Sequence, residues 1–143
     1  MGSNWGMTPE QSILLECERR SRDEVIDDCV AILNGLAVDD HMLRAIGGPP
    51  AEAVLEGRYG GVGGYWPRVW AARGLLHVWD DGATEAIIDA TTDASWRVRE
   101  MSAKVIARHR VSPAVDAVVI LLDDENARVR AAASRAFRVI AEP

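Results

Sequence analysis

Apolar side chains along this chain recur at three- and four-residue spacings, and no stretch alternates with period two for long enough to demand a strand, so the pattern predicts helices throughout. Thr8 ahead of Pro9-Glu10 suits an N-cap followed by proline at the first helical position, opening a helix through Ile13, Leu14 and Cys17. Ser21-Arg22-Asp23-Glu24 has capping-box form and starts a second helix carrying Val25, Ile26, Cys29, Val30 and Leu33, stopped by Asn34-Gly35. A short third segment, His41 to Ile46, follows a cap at Asp39 or Asp40 and ends at Gly47-Gly48; Pro49-Pro50 begins a fourth that runs to about Gly57. Longer helices are expected over 66–79, 84–91, 95–110, 112–122 and 126–141, with Gly82 and Pro113 in the connections.

The second half repeats. Pro67-Arg68-Val69-Trp70 falls into register with Val98-Arg99-Glu100-Met101 and again with Val129-Arg130-Ala131-Ala132, each step being 31 residues. The upstream half-units follow suit, since Ala86-Ile87-Ile88 precedes Ala117-Val118-Val119 by 31 and Asp93 precedes Asp124 by the same step. A fixed period of this length marks a stacked array in which each unit buries its apolar face against its neighbours.

The units Asp93-Ala94-Ser95-Trp96-Arg97-Val98-Arg99 and Asp124-Glu125-Asn126-Ala127-Arg128-Val129-Arg130, each followed by a small-residue helix, resemble HEAT repeats of the short phycobilisome-lyase type over residues 65–141. The resemblance implies an all-α fold, a right-handed α-α superhelix of HEAT-like, armadillo-type solenoid. It gives Asp93, Arg99, Asp124 and Arg130 the structural duty of tying successive units together, and it implies a scaffold. The first unit departs from the pattern, with Gly61-Val62 where the Asp belongs, although Arg68 remains. The expected organisation is one solenoid domain over 1–143, with an irregular helical cap over 1–48 and three helix pairs over 49–143.

On a wheel of residues 97–110 at about 100° per residue, Val98, Ser102, Val105, Ile106 and His109 cluster on one side and Arg97, Lys104 and Arg108 on the other, with Met101 at the margin. The first set is the predicted core. A shift of 31 carries the solvent side onto Trp66, Trp70, Arg73 and His77 upstream and onto Arg128, Ala132, Arg135 and Val139 downstream. In HEAT arrays the second helix of each pair lines the concave wall, so the resemblance implies a groove with a basic stripe and two tryptophans at one end. The candidate partner-binding residues are therefore Trp66, Trp70, Arg73, His77, Arg97, Met101, Lys104, Arg108, Arg128 and Arg135. Exposed Trp and Arg are typical interface anchors. Trp96, aligned with Tyr65, is expected as a staple between units, and Trp79 in the core. On the outer side of the second helices, Val69, Ala72 and Leu76 become Glu100, Ala103 and Ala107 and then Ala131, Ser134 and Arg138. Polarity grows along that series as a capping repeat requires, which predicts a monomer or dimer.

Charge sharpens the sidedness. The chain's net charge is −6, yet residues 1–60 hold eleven acids and five bases while residues 61–143 hold eleven of each. In the C-terminal part the bases sit mostly on second helices and the acids on first helices or turns, so an anionic partner is drawn to one wall. The composition, 48% hydrophobic and 27% charged over 143 residues, suits one compact domain. A cytoplasmic location is expected, because no run of about 18 apolar residues is present to span a bilayer and no apolar signal core stands at the start. Met1-Gly2-Ser3-Asn4 ahead of Met7 reads as a cloning remnant, and Gly6, where a myristoylation signal requires Ser or Thr, argues against a lipid anchor.

Chemistry has less to build on. Cys17 and Cys29 show no CxxC or paired-His spacing and read as small apolar helix residues, so no metal and no cofactor are expected. No Ser-His-Asp ordering, Cys-His pair or carboxylate dyad stands on the predicted groove. Gly57-Arg58-Tyr59-Gly60-Gly61-Val62-Gly63-Gly64 lacks the Gly-Lys-Ser/Thr ending of a phosphate loop and is expected as a mobile flap at the Trp66 end of the groove. The resulting reading is a non-enzymatic scaffold that binds a protein or acidic peptide. Nucleic acid is the alternative, including a glycosylase-like enzyme: alkylpurine DNA glycosylases of HEAT-like fold use a similar basic face with tryptophans, but none of their motifs matches here residue by residue.

Overall fold

The computed structural model describes residues 6–142, so the remnant read at residues 1–4 lies outside the described residues. Its helices are α1 (Pro9–Arg19), α2 (Arg22–Leu33), α3 (Asp40–Gly47), α4 (Ala51–Leu55), α5 (Tyr65–Gly74), α6 (Thr84–Ala90), α7 (Trp96–His109), α8 (Val115–Leu121) and α9 (Ala127–Ala141). No strand occurs among the described residues, and the all-α class expected from the periodicity is the class observed. Two compact units are present, one ending at Trp79 and the other beginning at Asp80.

In the first unit local caps act as the sequence requires. Thr8 accepts from the Gln11 amide while the Gln11 side chain accepts from the Thr8 amide, and Ser21 accepts from the Glu24 amide. The core is Ile13, Val25, Ile26, Cys29, Ile32, Met42, Leu43, Ile46 and Val54 with the buried face of α5. Polar groups cross this core as well. Ser12 Oγ donates to the Ala45 carbonyl at 2.6 Å, and the buried Glu16 carboxylate meets His41 Nε2 at 2.9 Å, so α1 and α3 are tied at two points. Burial pushes the Cys29 thiol up to about 12, in keeping with an inert apolar role.

α5 differs from its expected extent of 66–79. It stops at Gly74, after which the chain tightens into i→i+3 bonds, Leu76 to Arg73 and His77 to Gly74. Gly74 cannot carry a side chain without collision, because a Cβ there would lie 2.7 Å from Ile13 Cδ1 and 3.3 Å from Cys29 Sγ. That close approach explains the neighbours of α5. It packs most extensively on α2 and then on α3, so the short α4 does not take the place of a first helix paired with α5.

The second unit is two helix pairs, α6 with α7 and α8 with α9, and α7 packs on α9 more extensively than any other two helices pack. Small residues permit it: Ser102, Ala103, Ala133 and Ala136 are wholly buried. Val98, Val105 and Ile106 are buried as the wheel predicts, whereas His109, placed with them, is half-buried; Ile87, Val118 and Val129 add to the apolar bulk. Arg99 then spans the pairs. Its Nε and Nη2 donate to the two oxygens of Asp124 at 2.8 and 3.1 Å, and its Nη1 donates to the carbonyls of Asp93 and Ala94. Asp124 Oδ1 also accepts from the Asn126 amide at 2.9 Å. The tying role implied for Arg99 and Asp124 is thus realised, whereas Arg130 repeats only the intra-unit half, donating to the Asp124 carbonyl at 2.7 Å. Ala131, Ser134 and Arg138 on the outer side of α9 are exposed.

The Arg99 guanidinium holds the Asp124 carboxyl below its ordinary range. A depressed carboxylate contributes stability that is present above its unfolded value of 3.8 and lost as pH falls through the lower folded value. Asp124→Asn should therefore cost about 2 kcal/mol at neutral pH, the scale of a charged hydrogen bond. The gap between parent and variant in denaturant titrations should narrow as pH falls below 3.8; a gap that stays equal from neutral pH into that acid range would contradict this account.

Candidate functional site

Four of the ten candidate residues lie in the first unit, and there the structure corrects the expectation of an exposed tryptophan pair. Trp70 is only 5% exposed, with Gly47 of α3 so close that a Cβ on that glycine would sit 2.6 Å from the indole. Trp66 is half-buried and stacks on Trp70 with centroids 6.4 Å apart and an angle of 27°. Arg73 donates to the Ile46 carbonyl at 2.6 Å, and burial lowers its pKa from the ordinary arginine value. His77 lies 3.7 Å from a carboxylate oxygen of Glu10. The physical reason is common to all four: the 31-residue shift places them on the solvent side of a regular array, but α1 and α3 cover that side of α5. Trp79 is half-buried, and its carbonyl accepts from Arg22.

The glycine-rich segment is a folded turn in this unit. Tyr59, Gly60 and Gly61 take positive φ of 55°, 86° and 65°, and Gly61–Gly63 forms one 3-10 turn at the start of α5. Val62 and Gly63 line a cavity of about 360 Å³ together with Ile32, Leu36, Leu43 and Pro67, a position beside α2 and α3 that the flap reading does not anticipate.

The remaining six candidates belong to the second unit. Lys104, Arg108, Arg128 and Arg135 are exposed, and Arg97 and Met101 are half-buried, all on the neighbouring helices α7 and α9. At the N-terminal end of these helices the charges organise around an aromatic. The guanidinium carbon of Arg97 lies 4.5 Å from the centroid of Trp96, and that of Arg128 lies 5.2 Å from it. Stacking of this kind restrains a guanidinium while leaving its N–H edge available for a carboxylate or phosphate. Arg128 is further placed by Glu100, whose Oε2 accepts from Arg128 Nε at 3.0 Å and lies 3.7 Å from Lys104 Nζ. The start of α9 is itself fixed by Asn126, which accepts from the amides of Arg128 and Val129.

Trp96 and Glu100 are the two members that sequence reasoning leaves out. Trp96, expected as a staple between units, is half-buried and meets the next pair through Arg128 of α9, with Arg97 of its own helix also over the ring. The signal was available: Trp96 directly precedes Arg97, whose 31-residue equivalent is Arg128. Chemically the face is a strip of cations with an aromatic end. Among the described residues no group of three or more His, Cys, Asp or Glu is placed to hold a metal. No described helix is long and apolar enough to cross a membrane.

Comparison with known proteins adds one finding. A family model described as HEAT repeats matches residues 65–138, which reaches from the start of α5 nearly to the end of α9. The search of curated proteins returns no match.

The burial of Trp70 yields a direct check. Trp70→Ala should lower unfolding free energy by about 3 kcal/mol or more, the cost of a deleted core aromatic, whereas Trp96→Ala should cost well under half as much. Thermal or urea denaturation of the two variants decides it, and the reverse order would restore the sequence-derived placement.

Proposed function

The chain belongs to the HEAT-repeat family, and from that premise we propose that it is a non-enzymatic scaffold that takes an acidic segment of a partner protein onto the α7/α9 face. The observation that carries the reading is Trp96 flanked by Arg97 and Arg128, continued along the helices by Lys104, Arg108 and Arg135. Trp and Arg in a shared cluster are the residues that dominate binding energy at interfaces. The charges of the strip add steering, which raises encounter rates with an anionic segment. Repeats of this family typically mediate protein interaction, and the fold offers no paired nucleophile and base on this face. Within the first unit Trp66, Trp70, Arg73 and His77 are engaged beside α1 and α3, and the proposed site does not include them.

Nucleic acid is the competing occupant of the same strip. A net charge of −6 weakens that alternative, because binding to a phosphate backbone draws on the field of the whole molecule. Salt separates the two: a phosphate backbone gives a steep fall of log affinity with log salt, and a short acidic peptide a shallower one. Labelled acidic peptide and single-stranded DNA, titrated into the full chain across a salt series, provide the comparison. The proposal expects the peptide to bind at low salt and the DNA to bind more weakly; preference for DNA would replace it.

Lys104→Glu combined with Arg135→Glu should reduce the association rate for the acidic peptide about tenfold at low salt, with a smaller effect at high salt. Both residues are exposed; Arg135→Glu should change stability by only about 0.5 kcal/mol, and Lys104→Glu should cost more, because it turns the i,i+4 ion pair with Glu100 into a like-charge pair. Stopped-flow kinetics reads the effect, and an unchanged rate at low salt would remove the strip's electrostatic role.

A further inference from the structure

The cations of the α7/α9 face already hold one carboxylate, and it belongs to the chain itself. Glu100 is 12% exposed at its side chain, against 66% for Arg128 and 46% for Lys104, so the carboxylate lies on the floor of the strip and the cations stand above it. Among the described residues those two cations are the only polar partners of its carboxylate. The contrast with Arg99 and Asp124 is informative. There both side chains are sunk, at 11% and 9%, and both are bonded to backbone as well, as a structural tie between helix pairs requires. Glu100 is sunk to the same degree, at 12%, but its cation partners are not, and its carboxylate has no backbone bond among the described residues. Its bonds go to two side chains that are largely in solvent and whose donors a ligand can approach from outside.

We propose that Glu100 is an internal competitor for the acidic partner: it occupies the anion position between Arg128 and Lys104 and sets the affinity at which an external carboxylate enters. The inference rests on the reading of this face given above and adds the residue that tunes it. Five cations, Arg97, Lys104, Arg108, Arg128 and Arg135, border the strip, and Glu100 is the one acid set among them. An incoming carboxylate near Trp96 meets Arg128 with its Nε already engaged and a like charge a few ångströms away, which disfavours it. At the other end Arg108 and Arg135 are exposed and have no ion pair among the described residues. A partner gains most by placing one acid there and a second at Arg128, where it displaces Glu100. Arg128 and Arg135 are about 10 Å apart along α9 at the helical rise, and a segment in polyproline II conformation, with three residues per turn and about 3.1 Å rise per residue, sets side chains i and i+3 on one face at about that distance. The favoured partner therefore carries acids spaced i and i+3 in that conformation.

The test uses the full chain and a fluorescein-labelled octaglutamate peptide, with binding read by anisotropy at low and high salt. Glu100→Gln keeps an acceptor for Arg128 Nε and removes the charge; Glu100→Ala removes both. Both variants should bind octaglutamate about three- to tenfold more tightly than the parent at low salt, with the gain shrinking as salt rises. A weaker or unchanged affinity in both would overturn the proposal and make Glu100 a residue that positions Arg128. If neither the parent nor either variant binds octaglutamate at low salt, while their circular dichroism and melting match, the reading of the face as an anion site falls and the competitor with it. A parent that binds and variants that do not gain would sink the competitor alone.

Discussion

The contact of α7 against α9 is the constraint on which the second unit depends. Two helices approach this closely only where their facing positions are small, and Ser102, Ala103, Ala133 and Ala136 are wholly buried for that reason. Once the backbones are close, Arg99 can extend across to Asp124 and still reach the carbonyls that precede its own helix. The bidentate geometry then fixes the rotation of one pair relative to the next. That rotation also builds the candidate site, because it sets Arg128 of α9 beside Trp96 and Glu100 of α7. The structural ladder and the candidate site are thus two readings of one helix pair, a rung on one side and a charged strip on the other.

That division was legible in the sequence wherever the 31-residue period holds. The wheel of 97–110 separates Val98, Val105 and Ile106 from Lys104 and Arg108, and the burial of the first three and exposure of the last two follow it. The Asp-Arg tie was legible only through resemblance, since spacing alone does not say which carboxylate meets which guanidinium. Legibility ended where the period ended. Trp66 and Trp70 sit at repeat positions, but their environment is set by α1 and α3, whose sequences have no counterpart in the other units. A periodic pattern predicts what a residue's repeat neighbours do and is silent about a non-repeating segment that folds over it. Gly47 shows how local that information is: one missing side chain admits the Trp70 indole, and no periodicity announces it.

Trp96 shows repeat logic holding while the partner's chemistry differs. Alignment with Tyr65 suggested packing between units, because repeat logic assigns aromatic positions at helix starts to contacts along the stack. The contact along the stack is made by a guanidinium: Arg128 of the next pair lies over the ring, and Arg97 of the same helix lies over it as well. The guanidinium is weakly hydrated and planar, so it gains by lying on an indole where an ammonium would remain in water. Lys at 97 and 128 would leave the same net charge and a different surface, with the ring bare and the cations mobile.

Glu100 follows from the same geometry. A strip of cations on two adjacent helices repels itself, and the repulsion grows as the helices approach through their small residues. One sunken acid between the helices relieves it at Arg128 and Lys104 without covering either cation. The relief makes the close α7/α9 contact easier to hold, and under the proposed reading of this face it lowers the affinity of the strip for an external anion. Stability of the rung and strength of the site therefore pull in opposite directions at this residue, the usual position of groups that serve binding on a packed scaffold. Arg99 escapes that conflict because its carboxylate is buried with it, and only the exposed half of the helix pair is left to meet a partner.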